Sequence, residues 1–582
     1  MRYPQLKVQA STRNIVDVFM GYNHNLRISE GEFFDMKNLT SDHYPVLSPR
    51  SKRGFYVKPA SPQGLIAKDE ICYVDGTDFV MGSTRVNMGL SVKAEDCPKQ
   101  LVSMGAYVII MPDKKYINTL NVEDTGDLDA EFTATGNVSF ELCTADGESY
   151  EGVTISPDAP ANPKNLAYWI DTSAEPHTLK QYSEASETWV SIVTTYVKIG
   201  ATGIGKAFSQ YDGVKISGIT EVSVTGLNGA AVVWAKGDDY IVVTGILDTV
   251  ANQSGGITIS RKMPAVDFVI ESGNRLWGCR YGESNDGEVV NELYASKLGD
   301  FKNWNCFMGI STDSYAASLG SDGEFTGAIT FLGYPMFFKE SCVHKVFGRY
   351  PANFQIQDTA CRGVQRGCHG SLAIVNETLY YKARSGICAF DGSLPVEASY
   401  ALGSEAYFDA VGGAINNKYY VSMRDATWNW HLFVYDTAKR MWHKEDDLHA
   451  SAFCASRGEL YCIDAEAQNI ITMLGSGTKD SNPVPWMVET GNLGISSPDM
   501  KYLSRITLRL MLNRESKVEI YAQYDLSDEW LHICTMFGTD LRSFNVPIRP
   551  RRTDHFKLRL IGHGGAKIYS ITKTIEQGSE LS

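Results

Sequence analysis

Four aspartates, Asp75, Asp391, Asp436 and Asp464, each close a short apolar or aromatic run, as in Tyr73-Val-Asp75-Gly and Val434-Tyr-Asp436-Thr. Two carboxylates flanking a glycosidic bond can cleave it, one as acid and the other as nucleophile or base, so these are the first residues to weigh for chemistry. Their recurrence at one position of a repeat argues instead for turn-forming side chains that serve every copy alike. The stretch Gly200-Ala-Thr-Gly-Ile-Gly-Lys206 has phosphate-loop spacing, but Ala207 stands where Mg²⁺ binding needs Ser or Thr, and the chain turns again at Asp212-Gly213. A glycine-rich turn between strands accounts for it. Cys361, Cys368 and His369 lie close in the chain without a second ligand pair at zinc spacing, so no metal or cofactor is expected. Neither His-Glu-x-x-His nor Gly-x-Ser-x-Gly occurs.

Two further sets could bind rather than react. Trp169 and Trp189, near Tyr168, Tyr182 and Tyr196, could stack on a sugar ring or form the small core of their own module. Arg549-Pro-Arg551-Arg552, with Arg505, Arg509 and Arg559 nearby, concentrates positive charge. That cluster reads as a docking face for an acidic partner or as a solvated loop.

The elements that must carry these residues read as strands. From Asp267 to Glu340 the chain reads as three strand pairs, 267–280, 292–304 and 324–339, each broken by a Gly, Asn or Asp turn. The same grammar recurs near 64–90, 98–120, 262–310, 320–350, 368–398, 410–445 and 448–475, copies roughly 30 to 45 residues apart over much of the chain. Blades of about four strands produce that spacing, so an all-β chain with a β-propeller of five to seven blades is expected. Residues 1–55 read as an extended N-terminal arm rich in tight turns, 56–120 as the first blades and 256–480 as the rest. The repeat fails over 121–255, which reads as an inserted all-β module. Over 481–582 polar and apolar residues alternate in the pattern of a separate C-terminal β-sandwich.

Composition agrees with a globular, turn-rich β protein: 43% apolar, 11% aromatic and 21% charged residues, with 52 Gly and 30 Tyr. A net charge of −14 without blocks of one sign argues against gripping nucleic acid through its phosphates. The twelve cysteines occur without a Cys-x-x-Cys pair and fit small buried hydrophobes in a reduced compartment better than a disulfide framework. The N-terminus lacks an apolar leader core, and no run of about 18 apolar residues occurs, so an unexported product without a membrane span is expected. The sequons at Asn38, Asn137, Asn252 and Asn376 then carry no weight.

The arm residues Gly21-Tyr-Asn, Glu30-Gly-Glu-Phe, Asn38-Leu and Pro49-Arg50, followed by Leu293-Tyr-Ala-Ser-Lys-Leu-Gly-Asp-Phe-Lys-Asn-Trp304, Asp313, 320–329 and Phe337-Phe-Lys339, carry a likeness. They resemble the β-propeller tail hub or nozzle proteins of tailed bacteriophages, the stabilisation proteins of short-tailed phages among them. The likeness covers roughly 1–120 and 255–475, and the pattern at 551–560 is similar to the C-terminal part of related proteins from phages of Gram-positive gut bacteria. It implies a non-enzymatic virion protein, made in the host cytoplasm and assembled as a ring, a homo-hexamer as the usual state, below the portal and adaptor proteins. Such a ring prolongs the channel through which double-stranded DNA passes without specific binding, and it carries tail fibres. Two other classes stay open: a host-surface propeller that binds or cleaves glycans, and an accessory protein that decorates the virion without lining the channel.

Overall fold

The structure, a computed structural model, describes residues 11–92, 98–284, 287–475, 484–495, 500–525 and 527–577; Cys97 lies outside them. The fold is all-β, its only helical pieces among the described residues being short 3₁₀ turns. Seven four-stranded meanders of blade type occur along the described chain, over 62–87, 100–127, 268–318, 325–360, 373–397, 407–444 and 450–472, the last completed by Gly54–Val57. The chain divides into two compact units, one of residues 1–99, 338–343 and 359–582, the other of 100–337 and 344–358.

In the first unit the strand Gly54–Val57 pairs antiparallel with Asn469–Thr472 and so ties an early segment into the last meander. The arm, expected to be extended with tight turns, is built into sheets through short strands. Ser11–Val16 pairs with Ala566–Gln577, Glu32–Lys37 pairs with Pro485–Thr490, and Tyr22 faces Trp442 in the 407–444 meander. Phe33, Met36, Leu39 and Leu47 are buried, which explains the seating: spaced apolar residues too sparse to read as strands still bury against a sheet that supplies the partners. Gly21 has φ +82, and a Cβ there would stand 2.3 Å from the Trp442 carbonyl oxygen, so only glycine admits this crossing.

The C-terminal strands likewise do not stand apart as a sandwich. Lys501–Tyr524 alternates buried residues with half-buried or exposed ones over most of its length and pairs with Leu531–Val546, Phe556–His563 and Ala566–Gln577. Its sheet runs on through Pro485–Thr490 and the arm strands to the 407–444 meander. Open sheet edges invite pairing, and the arm covers those of Ala566–Gln577 and Pro485–Thr490.

The second unit holds the meanders over 100–127 and 268–318, most of the one over 325–360, and the inserted module. The insertion extends slightly past its expected end, since Thr258–Arg261 pairs with Ala130–Thr133 and Gly213–Ser217. Two of its sheets share one core around Phe140, Val197, Ile199, Ile216, Ile241 and Ile259. A third sheet, of Thr154–Ser156, Tyr168–Asp171, Thr178–Ser183 and Thr188–Ser191, carries Tyr168, Trp169, Tyr182 and Trp189 of the aromatic set, and Tyr196 lies in another sheet.

Of the three strand pairs read between 267 and 339, the middle one is corrected. Val289–Ala295 is a strand, but 296–304 is a folded loop. Its polar residues bind sideways instead of along a ladder: Asn303 Nδ2 donates to Asp212 Oδ1 (2.9 Å) and Asp300 Oδ2 (2.6 Å), while its Oδ1 accepts from Gly213 N (2.9 Å). Arg261 Nη1 completes the cluster with Asp212 Oδ2 at 2.5 Å. Asn303 is 1% exposed, so Asn303→Ala leaves a buried N–H and a carboxylate oxygen unpaired. A loss of about 2–3 kcal/mol is expected. Hydrogen exchange should show the loosening over 209–217 and 258–261, and an unchanged exchange pattern there would remove this account of the insertion's anchorage.

Candidate functional site

The four turn aspartates do not share one repeat position. Asp75 and Asp464 end the second strand of their meanders, whereas Asp391 follows the third strand and Asp436 ends it. Each is held by hydrogen bonds or ion pairs. Asp391 Oδ1 accepts from Ser393 N and Oγ, and these bonds hold its carboxyl below the usual range. Asp464 Oδ1 accepts from the backbone N–H groups of Glu466 and Ala467. Burial works to raise Asp75, but Arg85 at 2.5 Å and the N–H of Ser61 at 2.8 Å outweigh it and leave it low. Asp436 is 2% exposed; burial there is outweighed by Lys439 (2.8 Å) and Ser41 (2.5 Å), and its carboxyl is also held low.

Asp436 lines a highly charged cleft of the first unit, where arm and meander meet. Lys418 Nζ reaches Asp42 Oδ1 at 2.6 Å and Thr40 Oγ1 at 2.9 Å on the cleft wall. Arg50 and Glu445 line the same cleft, and Arg50 and Arg53 bind the carboxylates of Glu445 and Asp446 at 2.7 to 3.3 Å. These side chains are mostly buried, Glu445 being 7% exposed and Arg53 14%. Two cations facing two anions in a dry setting form a tie, each charge being costly without its partners. Asp42 and Asp446 are held below the usual carboxylate range, in both cases against burial, by Lys418 and by Arg53 respectively. The sequence signal for this cluster was present in Pro49-Arg50 and in the acidic run 445–447, but nothing local couples two segments nearly 400 residues apart.

Asp267, just before the strand Phe268–Ser272, behaves differently. Its residue surface is exposed, yet the packing around the carboxyl pushes it up, with Glu324 adding repulsion and the N–H of Tyr281 (2.8 Å) opposing. Glu324 lies just before the first strand of the next meander, so the two acids hold equivalent places. Sequence reading passed over both because neither closes a turn.

Of the sugar-stacking set, Trp169, Trp189 and Tyr182 come together as a packed cluster, whereas Tyr196 packs on Trp234 from another sheet of the insertion. Trp169 is 5% exposed, lies edge-on to Trp189 at 5.3 Å and donates Nε1–H to the Ser156 carbonyl. Trp189 packs on Tyr182, Tyr168 on Tyr150, and the Lys180 ammonium sits 4.8 Å above Trp169. The phosphate-loop match folds as a three-residue 3₁₀ turn, Ile204–Lys206, and a Cβ at Gly205 would meet the Gly237 carbonyl at 1.7 Å. Close backbone packing fixes that glycine. Cys368 Sγ accepts from Ala410 N, and packing around the ring of the neighbouring His369, whose residue surface is exposed, holds it below its ordinary value.

Of the arginines, Arg549, Arg551 and Arg552 are exposed, as are Arg505 and Arg509 on the long strand. Arg551 lies over the Tyr524 ring at 5.6 Å. Arg559 is withdrawn from the set: it binds Glu489 at 2.6 Å and stacks 3.9 Å above Trp530.

No family profile matches the chain, and no curated protein matches it. Among solved structures, an exo-β-1,3-galactanase from Phanerochaete chrysosporium is 9% identical over 52% of this chain and 94% of its own, with a TM-score of 0.21. An acylaminoacyl peptidase from Pyrococcus horikoshii is 10% identical over 60% of this chain and 57% of its own, at 0.23. An engineered GH43 glycoside hydrolase gives 9%, 53% and 96%, at 0.19. Scores of this size carry no argument about activity.

Proposed function

We propose that this chain is a non-enzymatic structural protein of a bacteriophage tail, of the hub or nozzle kind. In this reading it assembles as a cyclic homo-oligomer below the portal and adaptor, prolongs the DNA channel and anchors fibres. The observation that supports it most is the interlocking of residues 11–57 with the last meanders and the C-terminal strands, by four strand pairings and a buried set of ion pairs. Such stitching suits a part that transmits force without changing shape. The carboxylates of its charged cleft are tied to cations, whereas a glycosidase of the usual type needs one carboxyl kept protonated and one ionised.

The test is mass measurement of the purified protein, alone and with the portal and adaptor, followed by imaging. A ring with a bore of about 20–40 Å is expected, since duplex DNA whose major groove alone spans ~12 Å must pass. A monomer under both conditions would end the channel reading. If the exposed arginines dock an acidic neighbour, changing Arg549, Arg551 and Arg552 together to Glu should weaken portal–adaptor association at least tenfold, and the wild-type contact should weaken with salt. Unchanged association would assign them to a solvated loop. The glycan-cleaving rival would rest on Asp267 as acid and Glu324 as partner. Saccharide hydrolysis by the wild type that Asp267→Asn abolishes would replace the structural reading.

A further inference from the structure

A cleft in the second unit, beside the loop 306–314, holds a feature that neither folding nor the tail reading uses. Asp313 closes this loop: its Oδ2 accepts from the N–H groups of Met308 (2.6 Å), Gly309 (2.6 Å) and Ile310 (3.1 Å). Beneath it Arg275, 2% exposed, donates to the carbonyls of Ser296 (2.7 Å), Asp313 (2.5 Å) and Ser311 (2.9 Å). The loop is therefore held from both sides in one shape. The second carboxylate oxygen, Asp313 Oδ1, is buried and has no partner among the described residues, although the residue is only 4% exposed and lines the cleft.

The other walls are apolar and ring-bearing. Phe307, Ile310 and Tyr350 are 55%, 48% and 44% exposed and line the cleft with Tyr315 and Pro351. Tyr315 is fixed by edge-on packing against Phe354 at 5.1 Å, and Phe354 in turn packs on Trp277 at 5.0 Å. A rigid acceptor among aromatic and aliphatic walls is the composition of a small-ligand site.

The chemistry of the occupant follows from charge. A carboxylate oxygen only accepts, so the ligand must bring a donor. An ammonium would be the first choice for a lone carboxylate under aromatic rings. Here the Arg275 guanidinium already lies against the same loop and balances the charge of Asp313, so an added cation would leave the cluster with an excess positive charge in a dry setting. A neutral hydroxyl satisfies the orphan oxygen without that cost. A ring that offers a hydroxyl at one edge and an apolar C–H face to Phe307 and Tyr350 is a pyranose. We propose that this cleft is a saccharide-binding subsite in which Asp313 Oδ1 accepts a sugar hydroxyl and the exposed rings carry the sugar face. It is distinct from the packed aromatic cluster of the insertion and does not depend on the tail reading.

The experiment titrates the full chain with glucose, galactose, N-acetylglucosamine and their short β-linked oligomers, by saturation-transfer NMR and calorimetry, with tetramethylammonium chloride as the cationic probe. At least one saccharide should bind saturably, with a Kd of about 0.1–10 mM for so few contacts. Asp313→Asn can keep its oxygen on the three loop N–H groups while presenting an NH₂ to the cleft, so it should weaken binding tenfold or more. Tyr350→Ala and Phe307→Ala should each weaken it severalfold. If Asp313→Asn fails to fold by near-ultraviolet circular dichroism, the two ring variants decide. No saccharide binding below roughly 50 mM, binding that survives the ring variants unchanged, or saturable binding of tetramethylammonium in place of sugars would each overturn the proposal.

Discussion

Arg53→Ala is expected to lower the stability of the first unit by about 3–5 kcal/mol, because it leaves the carboxylates of Glu445 and Asp446 buried beside Arg50 alone. The contrast is Lys37, whose partner Asp447 is 64% exposed while Lys37 itself is 45% exposed. Lys37→Ala should cost under about 1 kcal/mol, since water and salt already screen that pair. Replacing Arg53 by Met together with Asp446 by Leu should recover part of the loss, because the desolvation of two charges disappears with them. Denaturant midpoints measure all three. Limited trypsin digestion should show cleavage at Arg27, Lys37 and Arg50 rising only in the single Arg53 variant. If Arg53→Ala costs no more than Lys37→Ala, the arm is held by its strands and not by this buried set.

Acid should loosen the same region in two stages. Burial, with Lys418 adding repulsion, holds His443 at about 3, well below its ordinary value of 6.5. The unfolded chain therefore takes up this proton first, and the stability gained by keeping His443 neutral is whole above about 6.5 and declines as pH falls toward 3. Asp42, Asp436 and Asp446 are also held below their ordinary value of 3.8. Their contribution is whole above that value and is lost only as pH falls further, through their depressed folded values. His443→Gln should flatten the first stage and leave the second, as read from unfolding free energy against pH.

What was legible in the chain was whatever repeats locally. The strands Phe268–Ser272, Arg275–Glu283, Phe325–Phe331 and Tyr334–Lys339 follow from short β-branched and aromatic runs broken at Gly273-Asn274 and Leu332-Gly333. The turn role of Asp391 and Asp464 follows from an Asx pattern two or three residues long. What was hidden depends on partners far away in sequence. Asn303 looks like one more turn residue until Asp212 and Gly213 are brought to it, and the arm looks irregular because its strands bury single side chains against a sheet formed more than 400 residues later. Asp313 entered only as part of a likeness. Its orphan oxygen arises because three N–H groups take one side of the carboxylate, a property of loop shape and not of residue type.

The strand Pro485–Thr490 is where the arm and the C-terminal strands meet, pairing with Glu32–Lys37 on one side and Phe556–His563 on the other. Its Trp486 is 2% exposed and donates Nε1–H to the Gly564 carbonyl at 3.1 Å. Trp486→Ala should cost about 3–5 kcal/mol, through a large cavity and an unpaired carbonyl. Directly opposite stands Gly562, where a Cβ would come within 2.1 Å of the Trp486 ring carbons. Gly562→Ala should therefore cost about 2–3 kcal/mol by overpacking, with no change in backbone conformation required. The two effects are linked by one volume. In a Trp486→Leu background the alanine has room, and its cost should fall by at least ~1 kcal/mol, a coupling that a double-mutant cycle resolves. Strict additivity would mean that Gly562 serves the backbone rather than the indole. The junction would then owe its order to strand pairing alone.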